Sequence, residues 1–307
     1  MEQDQRTVLI AGGNGNVGGG AATALAKRGA RVVLLGRKPG PLEGRAAKIR
    51  EVLAEDGSAY PDIETLSLDL ADMDDVRRAA DEAQRRFPEI DALILSVVCL
   101  GQHGPKVQSD GHELMFKTNV MGPFLFTELL AERLERAGAL VIHVVAPFYE
   151  AIDWNDLESI EHYEDEPAYH RTKTMNRMIA AELAHRHEGA ITSLAFDPGF
   201  IIDKHDPTLK DRWPSGFTGL YWRVATALVA KPPHVAGEPM AELVLRSDRQ
   251  ALNGALFKLG KRVAKPDRAM SDETGRRRLW DELVRMVQPS AIAPTDSAHA
   301  GEDATPT

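Results

Sequence analysis

The run Ala11-Gly12-Gly13-Asn14-Gly15-Asn16-Val17-Gly18-Gly19-Gly20 follows the apolar stretch Thr7 to Ala11 and precedes a helical pattern that reaches Arg28. A strand that turns through glycines straight into a helix admits few architectures. Glycine lets the backbone turn tightly and lets a bulky anion approach it, while the first helical turn offers free N–H groups and the positive end of the dipole. Gly13, Gly15 and Gly18 spell Gly-x-Gly-x-x-Gly, and Gly12, Gly15 and Gly18 recur at three-residue intervals. This setting predicts a pyrophosphate site built from Gly12, Gly15, Asn16, Val17 and Gly18, with a merely flexible glycine turn as the alternative.

The rest of the chain repeats the same alternation. Strands are predicted at 7–11, 31–35, 63–68, 92–98, 140–145, 191–196 and 254–259. Helices are predicted at 42–54, 73–86, about 111–137, 166–186 and 272–287. Alternating strands and amphipathic helices imply an α/β fold with a doubly wound parallel sheet, and we assign residues 1–288 to one such Rossmann-type domain. The stretch from about 202 to 233 breaks the pattern and reads as an insertion over the carboxyl ends of the strands. Its Trp213, Phe217, Tyr221 and Trp222 suit an apolar or ring-bearing small molecule, or equally the packing of the insertion itself. Residues 289–307 turn to Pro, Ala, Ser, Thr and Asp without periodicity and are expected to be a disordered tail.

A net charge of −9 over 307 residues argues against nucleic acid as a partner. The single cysteine, Cys99, excludes an internal disulfide and a multi-cysteine metal site, and reads as a small buried apolar residue. No metal site is expected. The polar start Met1 to Arg6 does not resemble a signal peptide, and the apolar stretch 217–230 is about 14 residues long and carries Arg223, too short for a membrane span. The expected location is cytoplasmic.

Two further positions point to chemistry. Strand 31–35 runs into Gly36-Arg37-Lys38, close to the ~20-residue spacing at which a ribose-reading residue is expected. In place of an acid for a 2′-hydroxyl, Arg37 offers a guanidinium suited to a 2′-phosphate, which favours NADP over NAD, with a solvated surface arginine as the alternative. Tyr169 and Lys173 lie four residues apart on one helical face. An ammonium near a phenol favours phenolate, a means of making a proton donor for a carbonyl oxygen receiving a hydride.

Together these features resemble the short-chain dehydrogenase/reductase superfamily, and most closely its retinol dehydrogenase-like branch, over about residues 5–288. Leu68-Asp69-Leu70 is similar to the family's adenine-contacting segment. Asp110 to Leu125 is similar to its long helix, Ala168 to Lys173 to its active-site helix, and Asp197-Pro198-Gly199 to the turn beside the nicotinamide. The resemblance implies an NADP(H)-dependent oxidoreductase. In it Tyr169 exchanges a proton with the substrate oxygen, Lys173 lowers the tyrosine pKa and holds the nicotinamide ribose, and Asn119 anchors a water leading to Lys173. Asp69, Leu70, Pro198 and Gly199 would contact the cofactor, and homodimerisation is common in the superfamily.

The chain also departs from the pattern. Ala146 falls where the family places a serine that polarises the carbonyl, and the loss of one such donor typically costs ~10²–10³ in rate. Leu95-Ser96-Val97-Val98 stands in place of Asn-Asn-Ala-Gly, Ala11 replaces a threonine, and Asp203 sits where a threonine often contacts the nicotinamide amide. Tyr149 or His143 could supply the missing donor, with a packed histidine the other reading of His143. The substrate could also bring its own hydroxyl. Asp153, Asp156 and Glu158 read as a solvated acidic loop, with catalytic acids as the alternative. A non-redox enzyme (dehydratase, epimerase or cyclase) or a non-catalytic nucleotide-binding protein on the same fold therefore stays open.

Overall fold

Valine, leucine and isoleucine fill the central strands on both sides, as expected of a parallel sheet covered by helices. The computed structural model describes residues 5–57, 62–100, 104–204, 228–265 and 267–288. Within them lie β1 (Thr7–Ala11), β2 (Arg31–Gly36), β3 (Ile63–Ser67), β4 (Ala92–Leu95), β5 (Leu140–Val144), β6 (Thr192–Asp197), β7 (Leu256–Lys258) and β8 (Lys261–Arg262). They form one sheet in the order β3-β2-β1-β4-β5-β6-β7-β8, parallel except for the antiparallel β8. The order reverses direction between β1 and β4, the position where α/β sheets open a crevice at the carboxyl ends of their strands.

The helices are α1 (Asn16–Ala26), α2 (Pro39–Glu55), α3 (Met73–Arg86), α4 (Leu114–Phe116), α5 (Gly122–Arg136), α6 (Asp165–Arg186), α7 (His234–Leu245), α8 (Arg268–Ser271) and α9 (Glu273–Val287). Alternate strand residues serve the two faces. Val8, Ile10, Val32 and Leu34 share a core with Leu25 of α1, Ile49 of α2 and Met240 of α7. Leu9, Val33 and Leu35 share the opposite core with Val76 of α3, Phe124 of α5, Met178 of α6 and Leu279 of α9. The doubly wound α/β fold expected from the alternation is the one observed.

Local chemistry explains several boundaries. Asp72 accepts N–H bonds from Asp74 and Asp75 at the start of α3, whose last turn carries Arg85 and Arg86, so both ends suit the helix dipole. Three expectations are corrected. The strand read as 92–98 stops at Leu95. Ser96 still donates to Ala11 O at 2.9 Å, but β1 ends there and turns away, so no ladder is left to join. The helix read as 111–137 is α4 and α5 joined by a π turn over Lys117–Met121, a widening that periodicity does not encode. Finally, β8 was not foreseen. Leu259 (φ 49°) and Gly260 (φ 79°) make a tight turn with both central residues left-handed, and the chain doubles back onto β7.

Of the expected insertion, 202–204 and 228–233 are described. Trp213, Phe217, Tyr221 and Trp222, like the tail 289–307, lie outside the described residues. The neck is closed by a bridge between Ile201 and Lys231, with Ile202 N–H bonded to Lys231 O at 3.0 Å and Lys231 N–H to Phe200 O at 2.9 Å.

α1 and α7 touch backbone to backbone. A Cβ added at Gly237 would stand 2.3 Å from the carbonyl of Gly20. Gly237→Ala is therefore expected to destabilise the protein by about 1–3 kcal/mol through overpacking, seen as a lower urea midpoint at unchanged m-value.

Candidate active site

The glycine loop sits at the reversal of strand order. Gly12 adopts φ +76° and donates to Leu35 O at 2.9 Å. A Cβ there would lie 2.4 Å from Ser96 O, and one at Gly18 would lie 2.4 Å from Gly12 O. At Gly12 and Gly18 there is thus room for backbone only. α1 then begins at Asn16 behind Gly15, which makes no side-chain cap, and Asn16 and Val17 are partly exposed. An uncapped helix start is a ready anion site. At the end of β2 the Asn14 side chain faces Gly36, and Arg37 and Lys38 are exposed.

Asp69 is half-buried. Its Oδ1 accepts from Ala71 N–H at 3.0 Å and its own N–H donates to Asp75 at 2.7 Å, a turn that places the buried Leu70. Gly199 (φ +70°) donates to Asp197 Oδ1 at 2.9 Å, so the carboxylate shapes the Pro198-Gly199 turn.

Beyond Leu95 the backbone of the β4 strand is taken up by side chains. Asn119, in the π turn, accepts from Cys99 N–H at 2.7 Å and donates to Cys99 O at 2.8 Å, as a neighbouring strand would. It also reaches Thr172 Oγ1 at 3.2 Å, tying the turn to α6. Lys173 is 1% exposed, and its Nζ donates to Val97 O at 3.0 Å and to Val144 O at 3.3 Å, spanning the ends of β4 and β5. Burial pulls its pKa down to about 8. Nζ stands 5.9 Å from the centre of the Tyr169 ring. The structure thus brings Tyr169, Lys173 and Asn119 together. One expectation changes: burial first, and then the Asp197 carboxylate, push Tyr169 up to about 12. The expected lowering by Lys173 is not seen in this structure.

Ala146 is buried, and its carbonyl accepts from Arg177, which is paired with Asp267 at 3.0 Å. The segment after β5 is therefore held from α6 and from the start of α8. Neither residue was singled out from the sequence, although Arg177 lies one turn beyond Lys173 on the inward face of the helix. Of the two candidate donors, Tyr149 carries Arg268 over its ring at 5.1 Å. His143 is 4% exposed, and burial, then the charge of Lys173, bring it down to about 3, which fits the packed-histidine reading.

The acidic loop needs correction. Asp156 is buried and accepts from the N–H groups of Ile160, Glu161 and His162. Glu158 binds His112 Nδ1 at 2.8 Å and Glu113 N–H at 2.7 Å. Both carboxylates are taken up by backbone N–H groups rather than solvated. Cys99 is half-exposed, because it lies on the unladdered end of β4. Asp203 pairs with Lys48 of α2 at 3.5 Å.

A parallel sheet reversing at β1/β4, a glycine loop opening α1, and the Tyr169–Lys173–Asn119 cluster at the strand ends define a protein of the Rossmann nucleotide-binding class. The family described as short chain dehydrogenase matches residues 6–202. Mouse retinol dehydrogenase 14 is 31% identical over 297 residues, covering 92% of this chain and 86% of that protein. Mouse retinol dehydrogenase 13 is 29% identical over 291 residues, covering 92% and 84%. Among solved structures, L-sorbose reductase from Gluconobacter frateurii superposes with a TM-score of 0.66 at 16% identity, covering 85% of this chain and 98% of that one. The chain belongs to the short-chain dehydrogenase/reductase family and is homologous to its retinol dehydrogenase-like members. No helix among the described residues is long and apolar enough to cross a membrane.

Asn119→Ala removes both partners of the Cys99 peptide groups. These groups are part-buried, so each lost bond costs about 0.5–1.5 kcal/mol, and amide exchange at Cys99 is expected to accelerate several-fold, measured by hydrogen–deuterium exchange.

Proposed function

We propose that the chain is an NADP(H)-dependent oxidoreductase that interconverts a carbonyl and an alcohol on an apolar or ring-bearing small molecule, with Tyr169 handling the proton. The observation that carries this reading is the state of Lys173. Two of its three ammonium protons are held by Val97 O and Val144 O. The third is left to restore Tyr169, and the neutral amine that results keeps both bonds. Tyr169, with its pKa near 12, is a phenol throughout the ordinary pH range and so a donor as it stands.

The residues present fit a dinucleotide. At Gly12 and Gly18 there is room for backbone only, the first turn of α1 is uncapped, and Arg37 is exposed where a 2′-phosphate would lie. The nicotinamide would supply or accept the hydride. Gly12, Gly15, Asn16, Val17 and Gly18 would hold the pyrophosphate, Arg37 the 2′-phosphate, Asp69 and Leu70 the adenine, and Pro198 and Gly199 the nicotinamide side, with Lys173 at the ribose. Val98 and Leu100 after β4, Phe148 and Tyr149 after β5, and Phe200 after β6 are exposed large apolar groups at the strand ends. Phe148 stacks on His170 at 4.7 Å, beside Tyr169. Such a rim suits an apolar substrate.

Ala146 favours a second reading, a non-redox acid–base enzyme or a nucleotide-binding protein without turnover. With its carbonyl tied to Arg177 and no hydroxyl, this position offers the substrate oxygen no donor. Tyr169→Phe should abolish carbonyl-dependent NADPH oxidation and leave NADPH affinity within about threefold. Ala146→Ser should raise the rate by up to ~10² by restoring one donor. Substrate conversion without NADPH consumption would reject the redox reading.

Burial lowers Lys173 to about 8, so the ammonium is present below that pH and lost above it. Reduction should fall as pH rises through about 8, while alcohol oxidation gains. A steady-state pH profile in both directions checks this. Arg37→Glu should weaken NADPH by ~10–100-fold, the worth of one charged hydrogen bond, with little loss for NADH. Nucleotide titrations of both forms test it.

A further inference from the structure

Among the described residues two non-glycine residues are left-handed, Ser159 (φ 57°) and Leu259 (φ 49°). A side chain crowds the backbone in that region, so each needs a reason. Ser159 has one at hand: its N–H donates to Asp156 O at 3.0 Å and its Oγ accepts from Arg171 at 3.0 Å. Leu259 has no polar side-chain atom to offer. It stands first in the two-residue turn between β7 and β8, where asparagine before glycine is the favoured pair. Gly260 meets that preference, and a Cβ there would stand 2.5 Å from Pro239 of α7. The leucine does not meet it.

What the leucine touches supplies the reason. A Cβ placed on Gly199 would find Leu259 Cδ2 at 3.5 Å, and its three nearest atoms beyond its chain neighbours all belong to the Leu259 side chain. The leucine backbone is fixed to the same region. Its N–H donates to Asp197 O at 2.9 Å, and β7 pairs Lys258 with Asp197. Gly199 is itself left-handed (φ +70°) and tied by its N–H to Asp197 Oδ1, and just beyond it Phe200 and Ile201 join Lys231. A glycine turn has little of its own to hold one shape. We propose that Leu259 is a positioning residue for the nicotinamide: its side chain bars the Pro198-Gly199 turn from moving toward the β7–β8 hairpin and so fixes the wall against which the ring would lie. The proposal rests on the reading of Pro198 and Gly199 as the nicotinamide side of the nucleotide site. An asparagine would relax the turn but lacks the reach, so the strained leucine is kept where it serves the cofactor.

Three variants separate reach from stability. Leu259→Asn relieves the left-handed strain and loses the reach, Leu259→Ala loses the reach and keeps the strain, and Leu259→Met keeps the reach. In the full-length protein without nucleotide, amide exchange at Gly199 should accelerate ~10-fold in Leu259→Asn and Leu259→Ala and stay near the wild-type rate in Leu259→Met. NADPH should bind ~3–10-fold more weakly to the first two. Adenosine 2′,5′-bisphosphate, which carries no nicotinamide, should bind within about twofold of wild type. Carbonyl reduction should fall ~10-fold in both and return most of the way in Leu259→Met. The urea midpoint should be lower in Leu259→Ala than in Leu259→Asn. Losses that follow the urea midpoint, with Leu259→Asn like wild type, would make the leucine structural only and overturn the proposal. Equal weakening of both nucleotides, or unchanged exchange at Gly199, would overturn it too. If Leu259→Ala does not fold, Leu259→Asn against Leu259→Met decides. A wild-type chain that binds NADPH without reducing a carbonyl fails the redox reading alone, and the exchange and the two affinities still decide the role of Leu259.

Discussion

The early end of β1 organises the site. Gly12 turns the chain away one residue after the ladder closes, and Ser96 is the last residue of the β4 segment to bond β1. From Val97 to Cys99 the backbone is left without a strand on that side, and buried peptide groups without partners are costly. Asn119 and Lys173 supply the partners. The residues expected to handle protons are therefore also those that complete the sheet. The π turn fits the same constraint, since it places Asn119 where its amide can act as a missing strand.

Holding Lys173 in that role sets its electrostatics. A fully buried ammonium has left water, and two carbonyl contacts do not restore its usual basicity, so its pKa falls. Tyr169 moves the other way because burial and Asp197 both disfavour its phenolate. The two values move apart, Lys173 downward to about 8 and Tyr169 upward to about 12. That leaves a phenol and an ammonium together below about pH 8. The alanine at position 146 sits in a segment tied through its carbonyl to Arg177, which Asp267 holds in turn.

Much of this was legible in the chain. Glycines between an apolar run and a helix mark the nucleotide loop because no other residue tolerates the φ at Gly12 and the contact with Ser96. The i, i+4 spacing put Tyr169 and Lys173 on one face because helices repeat every 3.6 residues. Other features were not legible. The end of β4 depends on where β1 turns, a relation between Ala11 and Leu95, 84 positions apart. Cys99 reads as buried by residue type, yet a strand end without a ladder leaves it half-exposed. Asp156 and Glu158 look like surface acids until the N–H groups they collect from other turns are seen.

The sequence alone determined the fold class, the glycine loop, the helix that carries Tyr169 and Lys173 and the alanine at position 146, because periodicity, glycine content and residue identity are local properties. Tertiary structure alone decided which protons are shared. That Lys173 bridges two strand ends, that Asn119 replaces a strand and that Arg177 holds Ala146 are all contacts between distant segments. Charge and proton affinity follow from how fully such contacts replace water, and only the packed chain sets that.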